Sequence, residues 1–336
     1  MIKDFYNCDL ADRNSFHVRQ QAAHLAEFDT ADDLREIFTR EHPGRWMVLS
    51  GGNNILFTED YDGMLLTPRG TEIRIVGEDF ETVCVRAEAG TEWDDLVEWA
   101  VARGLWGIEN LSLIPGKVGA APVQNIGAYG AEAADTIFEV EMFCPETMNT
   151  LTLAAAHCGF GYRESVFKHS LRGRVIITAV KFRLLKEPQP NIAYGDLQRE
   201  VEARGGATLR NIRDAVCAIR RSKLPDTSIL GNAGSFFKNP VVERAVAEKL
   251  LNEYPDMPHY PAADSDSVKL AAGWLIDRAG MKGCTDGRVG VHDRQALVLV
   301  NLGGATGGEV LALARKVQQR VREVFGVDIE TEVNIL

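Results

Sequence analysis

LIPGKVGAAPVQNIGAYGAE, residues 113–132, contains Gly116, Gly119, Gly127 and Gly130, with Gly107 just upstream. Two prolines (Pro115, Pro122) and two amides (Gln124, Asn125) complete its unusual composition. Neither the 3.6-residue period of a helix nor the alternation of a strand runs through it. Such a run makes a poor core, because its backbone polar groups need partners that a sheet ladder would normally supply. Glycines let a backbone come close to a ligand, and exposed N–H groups can then hold a phosphate or the polar edge of a ring. A plain surface loop favours the same residue types. The binding reading gains ground because two more segments of this character occur, SGGNN at 50–54 and GNAGSFFKNP at 231–240.

Working outward, Thr30 is expected to cap a helix over 30–41, with Asp32 and Asp33 in its first turn and Leu34, Ile37 and Phe38 on one face. A short apolar strand at 46–49 runs into SGGNN, and another follows at 54–57. Residues 71–76 and 82–88 read as a strand pair. A capping box of Thr91 and Asp94 should open a helix over 91–103, closed by Gly104. Strands are expected at 138–144 and 174–184, and a helix at 209–221 carries Ile212, Val216 and Ile219 on one stripe. Helices at 243–253 and 267–279, a buried strand at 296–301, and a helix from a Thr306–Glu309 box to Phe325 follow. A strand at 329–335 closes the chain. Strands dominate the middle and helices the last third, which implies α+β rather than a regular βαβ array.

Length and composition fit a globular protein of two or three domains: 336 residues, 45% hydrophobic and 25% charged. The formal net charge of −11 argues against nucleic acid or an anionic membrane as main partner. It leaves room for an anionic small ligand in a local basic pocket. No apolar run approaches the roughly 18 residues of a spanning helix, and the N-terminus lacks a signal-peptide core, so a cytoplasmic location is expected. The six cysteines stand singly and no Cys/His cluster has metal spacing, so no metal is expected. His292, in VHDRQA, reads as structural. Neither GxGxxG nor GxxxxGK[ST] occurs, so a Rossmann site and a P-loop are unsupported.

Three side chains invite chemical readings that the residues alone leave open. Ser235 follows a flexible lead-in, but Phe237 stands where a GxSxG nucleophile would need glycine. Arg163 lies beside Tyr162 and Lys168 and could hold a carboxylate bidentately, or simply pair with Glu164. Glu330 and Glu332 should face one side of the last strand, which could equally be a solvent edge.

In chain order, NSFHV, SGGNNILF, ENLSLIPGKVGAAPVQNIGAYGAE, FGYRESVFK, YGDL, KLPD, GNAGSFFKNP, AAGWLID, ALVLVN and FGVDIETEV resemble the segments of the UDP-N-acetylenolpyruvoylglucosamine reductase family, in its longer subtype. The resemblance runs from about residue 14 to 333. It implies an α+β, three-part architecture. A split first FAD-binding domain would take 1–67 and 323–336. A second, of the PCMH/vanillyl-alcohol-oxidase type, would take 68–222, and a substrate-capping α/β domain 223–322. It also implies reduction of an enolpyruvyl ether of a UDP-sugar, with FAD as cofactor and NADPH as reductant, by a monomer. Ser235 would then be the proton donor, Arg163 would hold the enolpyruvyl carboxylate, and Glu332 would stand beside it. Gly51, Gly52, Asn53, Asn54, Ile114, Pro115, Gly116, Gly119, Asn125 and Gly127 would hold the flavin. Tyr129, Tyr194, Lys223, Asn239 and Gln295 would hold the UDP-sugar. The family's first loop usually reads G-x-G-S-N; here Ser50 replaces the first glycine and Asn53 the serine. A related flavin oxidase with another substrate would share the glycine loops but need not share Arg163, Ser235 and Glu332 together.

Overall fold

The computed structural model describes residues 1–262 and 264–336. They form two compact units, Met1–Cys8 with Ala22–Gly51 and Asp62–Ser222, and Asp9–Gln21 with Gly52–Tyr61 and Lys223–Leu336. The chain thus crosses between the units five times, once inside SGGNN and finally at the start of KLPD.

The larger unit is built on a four-stranded and a five-stranded sheet. In the first, Lys3–Asp9, Gln21–Phe28, Tyr61–Pro68 and Trp46–Val48 lie side by side in that order. The helix Ala31–Glu41 follows the strand Gln21–Phe28, opened by the expected box: Thr30 accepts from Asp33 N, and Asp33 accepts from the Thr30 amide. Leu34, Ile37 and Phe38 bury in a cluster with Ala26, Phe28, Met64 and Leu66.

The second sheet has the order Asn149–Ala154, Ile137–Cys144, Ile176–Leu185, Thr82–Glu88, Ile73–Glu78, every neighbouring pair antiparallel. Alternation decides which side chains reach which core. Val140 and Met142 join Val83, Val85, Ala87, Val180 and Phe182 in a cluster capped by the helices Trp93–Val101 and Leu209–Lys223. Phe143, on the opposite face of its strand, buries in the first cluster instead.

One capping expectation fails here for a physical reason. The helix begins at Trp93, its N-cap is Glu92, and no side chain caps it. The Thr91 hydroxyl is buried without a partner among the described residues. Asp94 is taken by a stronger donor from far along the chain. Arg213 gives it a bidentate pair at 2.7 and 3.0 Å, and its Oδ1 also accepts from Leu113 N at 2.5 Å. Arg213 reaches Glu98 as well, so the two helices are pinned by one guanidinium.

The smaller unit has an antiparallel sheet in the order Gly231–Ser235, Val298–Asn301, Val289–Val291, Thr285–Asp286, and a three-stranded sheet in which Ser267–Leu270 lies between Val241–Glu243 and His259–Pro261. Residues 267–279 are therefore not one helix. The first four form the central strand, with Val268 in register with Val242 and Pro261, and the helix is only Ala272–Arg278. Two ladders outweigh the helical period of a short apolar run. The Thr306–Glu309 box and the Gly326 stop of the helix Gly307–Phe325 form as expected. The closing strand shrinks to Asn334–Ile335, paired in parallel with Ile55–Leu56, and Leu336 exchanges backbone bonds with Leu56 and Thr58 at 2.9 and 2.7 Å.

Two outcomes follow from the Asp94 geometry. Thr91→Val should leave the unfolding free energy, read from urea denaturation, within about 0.5 kcal/mol of wild type or raise it, since no cap is lost; a loss of about 1 kcal/mol, the usual value of a broken cap, would contradict the assignment. Burial works against the Asp94 carboxylate, but the bonds from Arg213 and the Leu113 amide outweigh it and hold its pKa below the ordinary 3.8. Its folded value being depressed, the stability it contributes is fully present above about pH 4 and is lost only as pH falls further. The gap in midpoint between wild type and Asp94→Asn should be flat from pH 7 to 5 and close below about pH 4; closure already between pH 7 and 5 would contradict it.

Candidate active site

The glycine-rich segment is stitched, amide by amide, to the corner between the strand Thr82–Glu88 and the helix Trp93–Val101. Trp93 N donates to Gly116 O at 2.8 Å, Val118 N to Thr91 O at 2.8 Å, and Gly119 N to Ala89 O at 3.0 Å. Gly116 has φ +115°, a backbone state that only glycine enters easily. Ile114 lies half-buried against the core and Pro115 is exposed. Leu113, Asn125, Tyr129 and Arg163 are non-glycine residues with φ of 59°, 45°, 49° and 57°. Left-handed residues of this kind cost of order 1–3 kcal/mol each and cluster at functional sites.

Asn125 is wholly buried. Its Nδ2 donates to Glu132 Oε2 at 2.7 Å and Gly161 O at 3.1 Å, and its Oδ1 accepts from Ala134 N at 2.9 Å. Its side chain is thus engaged inside the protein, closing the loop over the hairpin Gly127–Ala128/Ala131–Glu132. Arg163 reaches back to the same loop. Its Nη2 donates to Gly127 O at 3.0 Å, and its guanidinium lies 5.3 Å from the centre of the Tyr162 ring. A Cβ on Gly127 would sit 3.0 Å from Ala131 O, 3.1 Å from Glu132 Cγ and 3.2 Å from Arg163 Nη1, so a side chain there would press on the hairpin as well as on the arginine. Tyr129 and Tyr194 meet edge to face with ring centres 6.1 Å apart. Asn110 ties their segments together, donating to Tyr129 O at 2.8 Å and to Asn191 O at 2.7 Å. Burial pushes the Tyr129 phenol up, opposed by the positive charge of Arg220.

The smaller unit gathers the other expected residues. Gly52 O accepts from Ser15 N at 3.1 Å and from its hydroxyl at 3.3 Å. Asn54 Nδ2 donates to Glu332 O at 3.3 Å. Residues 236–238 run antiparallel to 330–332: Glu332 N donates to Phe236 O at 2.8 Å, and Lys238 N to Glu330 O at 2.9 Å. Phe236 and Phe237 are buried and anchor this segment, so Ser235 and Glu332 come to neighbouring positions on paired backbones. The two glutamates differ in surroundings: Glu330 is exposed and pairs with Lys238 at 3.4 Å, whereas Glu332 is half-buried. Asn239 Oδ1 accepts from Ala272 N at 2.9 Å, and Gln295 Oε1 lies 3.3 Å from where a Cβ on Gly273 would be, so both stand at the start of the helix Ala272–Arg278. Lys223 ends the helix Leu209–Lys223 at an exposed position. His292 is buried, which holds its pKa below the ordinary value; its Nδ1 accepts from Arg294 N at 3.3 Å, a structural role.

Among the described residues, no group of three or more His, Cys, Asp or Glu side chains could hold a metal ion, and no helix is long and apolar enough to cross a membrane. The donor set instead suits a dinucleotide cofactor. Residues 116–119 lie outside the named strands, tied to the scaffold only by single backbone bonds and the Glu92–Lys117 bridge, and the Ser50 hydroxyl at the head of SGGNN is buried without a partner among the described residues. The four residues missed from sequence were Asp94, Arg213, Arg220 and Asn110. Only Asp94 carried a local signal, and that signal pointed to a cap.

Residues 22–148 match the FAD binding domain family, which places the chain among flavin-binding proteins, and residues 225–336 match the C-terminal domain of UDP-N-acetylenolpyruvoylglucosamine reductase. The chain is 51% identical to the UDP-N-acetylenolpyruvoylglucosamine reductase of Chromobacterium violaceum, over 98% of this chain and 97% of that protein. It is 46% identical to that of Pseudomonas aeruginosa, over 98% of each. A crystal structure of the Thermus caldophilus reductase matches the fold with a TM-score of 0.70 at 24% identity, over 100% of this chain and 98% of that one. The chain belongs to the UDP-N-acetylenolpyruvoylglucosamine reductase family.

Gly116→Ala should fold cooperatively yet bind FAD more weakly, by about tenfold or more if strain of 1–3 kcal/mol falls on the loop. Titration of the apoprotein with FAD reads this directly; an unchanged dissociation constant would contradict it.

Proposed function

We propose that this protein reduces UDP-N-acetylglucosamine enolpyruvate to UDP-N-acetylmuramate in peptidoglycan precursor synthesis, with Ser235, Arg163 and Glu332 as the residues that act on the enolpyruvyl group. The near-full-length identity to reductases of this name carries the reading, and the retention of all three side chains supports it. Bound FAD, reduced by NADPH, supplies the hydride to the terminal carbon of the double bond. Arg163, a permanent cation, holds the carboxylate and stabilises the negative charge that builds there. Glu332 stands beside the same carboxylate and assists the enol form. Ser235 Oγ gives its proton to the carbon next to the carboxylate. An alcohol is a weak acid, but the enolate is a strong base, so the transfer runs downhill. The serine alkoxide then regains a proton from solvent.

The flavin is held by 51–54 and by the backbone of 114–127, where Asn125 acts by fixing the loop from inside. Tyr129, Tyr194, Lys223, Asn239 and Gln295 receive the UDP-sugar, Lys223 supplying positive charge in an acidic chain. The three-part division at 67, 222 and 322, a monomeric state, a cytoplasmic location and independence of nucleic acid belong to the same reading.

Ser235→Ala should leave flavin reduction by NADPH near wild type and slow re-oxidation by the enolpyruvyl sugar by about 10²–10⁴-fold, or roughly 3–5 kcal/mol of barrier. Stopped-flow absorbance separates the half-reactions, and re-oxidation at the wild-type rate would refute the serine assignment. Gly127→Ala should weaken FAD binding and slow re-oxidation by the enolpyruvyl sugar together, because its methyl would press on Ala131 O and Glu132 Cγ as well as on Arg163; unchanged FAD affinity with an unchanged re-oxidation rate would contradict this.

A further inference from the structure

Leu113, the residue that enters the glycine-rich segment, is left-handed (φ 59°) without being glycine, and its peptide groups are gripped from both sides. Its N–H donates to Asp94 Oδ1 at 2.5 Å, and its C=O accepts from Arg220 Nε at 3.2 Å. Asp94 is itself fixed by the bidentate pair with Arg213, at 2.7 and 3.0 Å. Arg213 and Arg220 are two turns apart on the helix Leu209–Lys223, so one rigid element supplies both arms. Charged donors and acceptors make the strongest of such bonds, and left-handed backbone at a leucine persists only where its surroundings impose it. Burial draws the Arg220 pKa down, opposed by the negative charge of the nearby Asp94.

We infer that Asp94, held by Arg213, and Arg220 are positioning residues for the flavin: they clamp the Leu113 peptide and thereby set the path of 114–127 before the cofactor arrives. This rests on the assignment of 114–127 to the flavin given above. Preorganisation of this kind appears in affinity, because a loop left to order itself on binding must lose that freedom then.

A matched set of variants separates positioning from simple helix pairing. Asp94 and Glu98 lie one turn apart and both bind Arg213, but of these bonds only those of Asp94 extend to Leu113. Asp94→Ala should weaken FAD binding roughly 10- to 100-fold, the usual worth of a hydrogen bond to a charged group, and should speed amide exchange across 113–127 in the apoprotein. Asp94→Asn, which keeps an acceptor for the Leu113 amide, should restore affinity to within about threefold. Glu98→Ala should leave affinity and loop exchange unchanged whatever it costs in overall stability. Unchanged exchange in Asp94→Ala would overturn the clamp itself. Faster exchange with unchanged FAD affinity would overturn the proposal from the other side, by removing 114–127 from the flavin site. Equal losses in Asp94→Ala and Glu98→Ala would reduce the network to helix pairing and overturn it too.

Discussion

A loop of some twenty residues with little ladder of its own must find partners for its amides elsewhere, and the larger unit is organised around that requirement. Trp93, Thr91 and Ala89 meet the segment through backbone bonds, Asn125 closes it from within, and the Asp94–Arg213 pair grips its entrance. The left-handed residues at 113 and 125 are sustained by these bonds, and Tyr129 by the bond from Asn110 to its carbonyl. With the protein side satisfied, the segment can present bare backbone without collapsing into the core. The five-stranded sheet and its two helices give this loop a rigid floor, and Arg163 reaches it through the Gly127 carbonyl.

The smaller unit applies the same physics with a different device. Two short extended segments, 236–238 and 330–332, pair across almost a hundred residues of sequence, and buried Phe236 and Phe237 prevent them from slipping. A one-residue slip would exchange the faces of every side chain on such a segment. Register therefore fixes Ser235 relative to Glu332, while the tail bonds to Leu56 and Thr58 hold the end of the chain against the strand Ile55–Leu56. The positions of Ser235 and Glu332 are thus set by backbone geometry.

What the sequence reveals depends on how local the deciding interaction is. The boxes at Thr30 and Thr306 close within four residues and are readable by eye. The same pattern at Thr91 fails because Arg213, 119 positions away, offers Asp94 a better bond, which no window of sequence contains. Val268 sits in a stretch whose spacing suits a helix, yet two neighbouring strands claim it. Asn125 shows the same limit at the site: an amide in a glycine loop suggests ligand contact, but its partners are Glu132, Gly161 and Ala134. Gly116, by contrast, was legible because only one residue type enters its backbone state easily.

The most direct test of the central claim is the visible spectrum of the purified protein under anaerobic conditions, first with NADPH and then with UDP-N-acetylglucosamine enolpyruvate. A yellow protein that bleaches with NADPH and regains its colour only on addition of the enolpyruvyl sugar is the predicted result. A protein that bleaches but ignores that sugar, or one that cannot be loaded with FAD at all, would contradict the account.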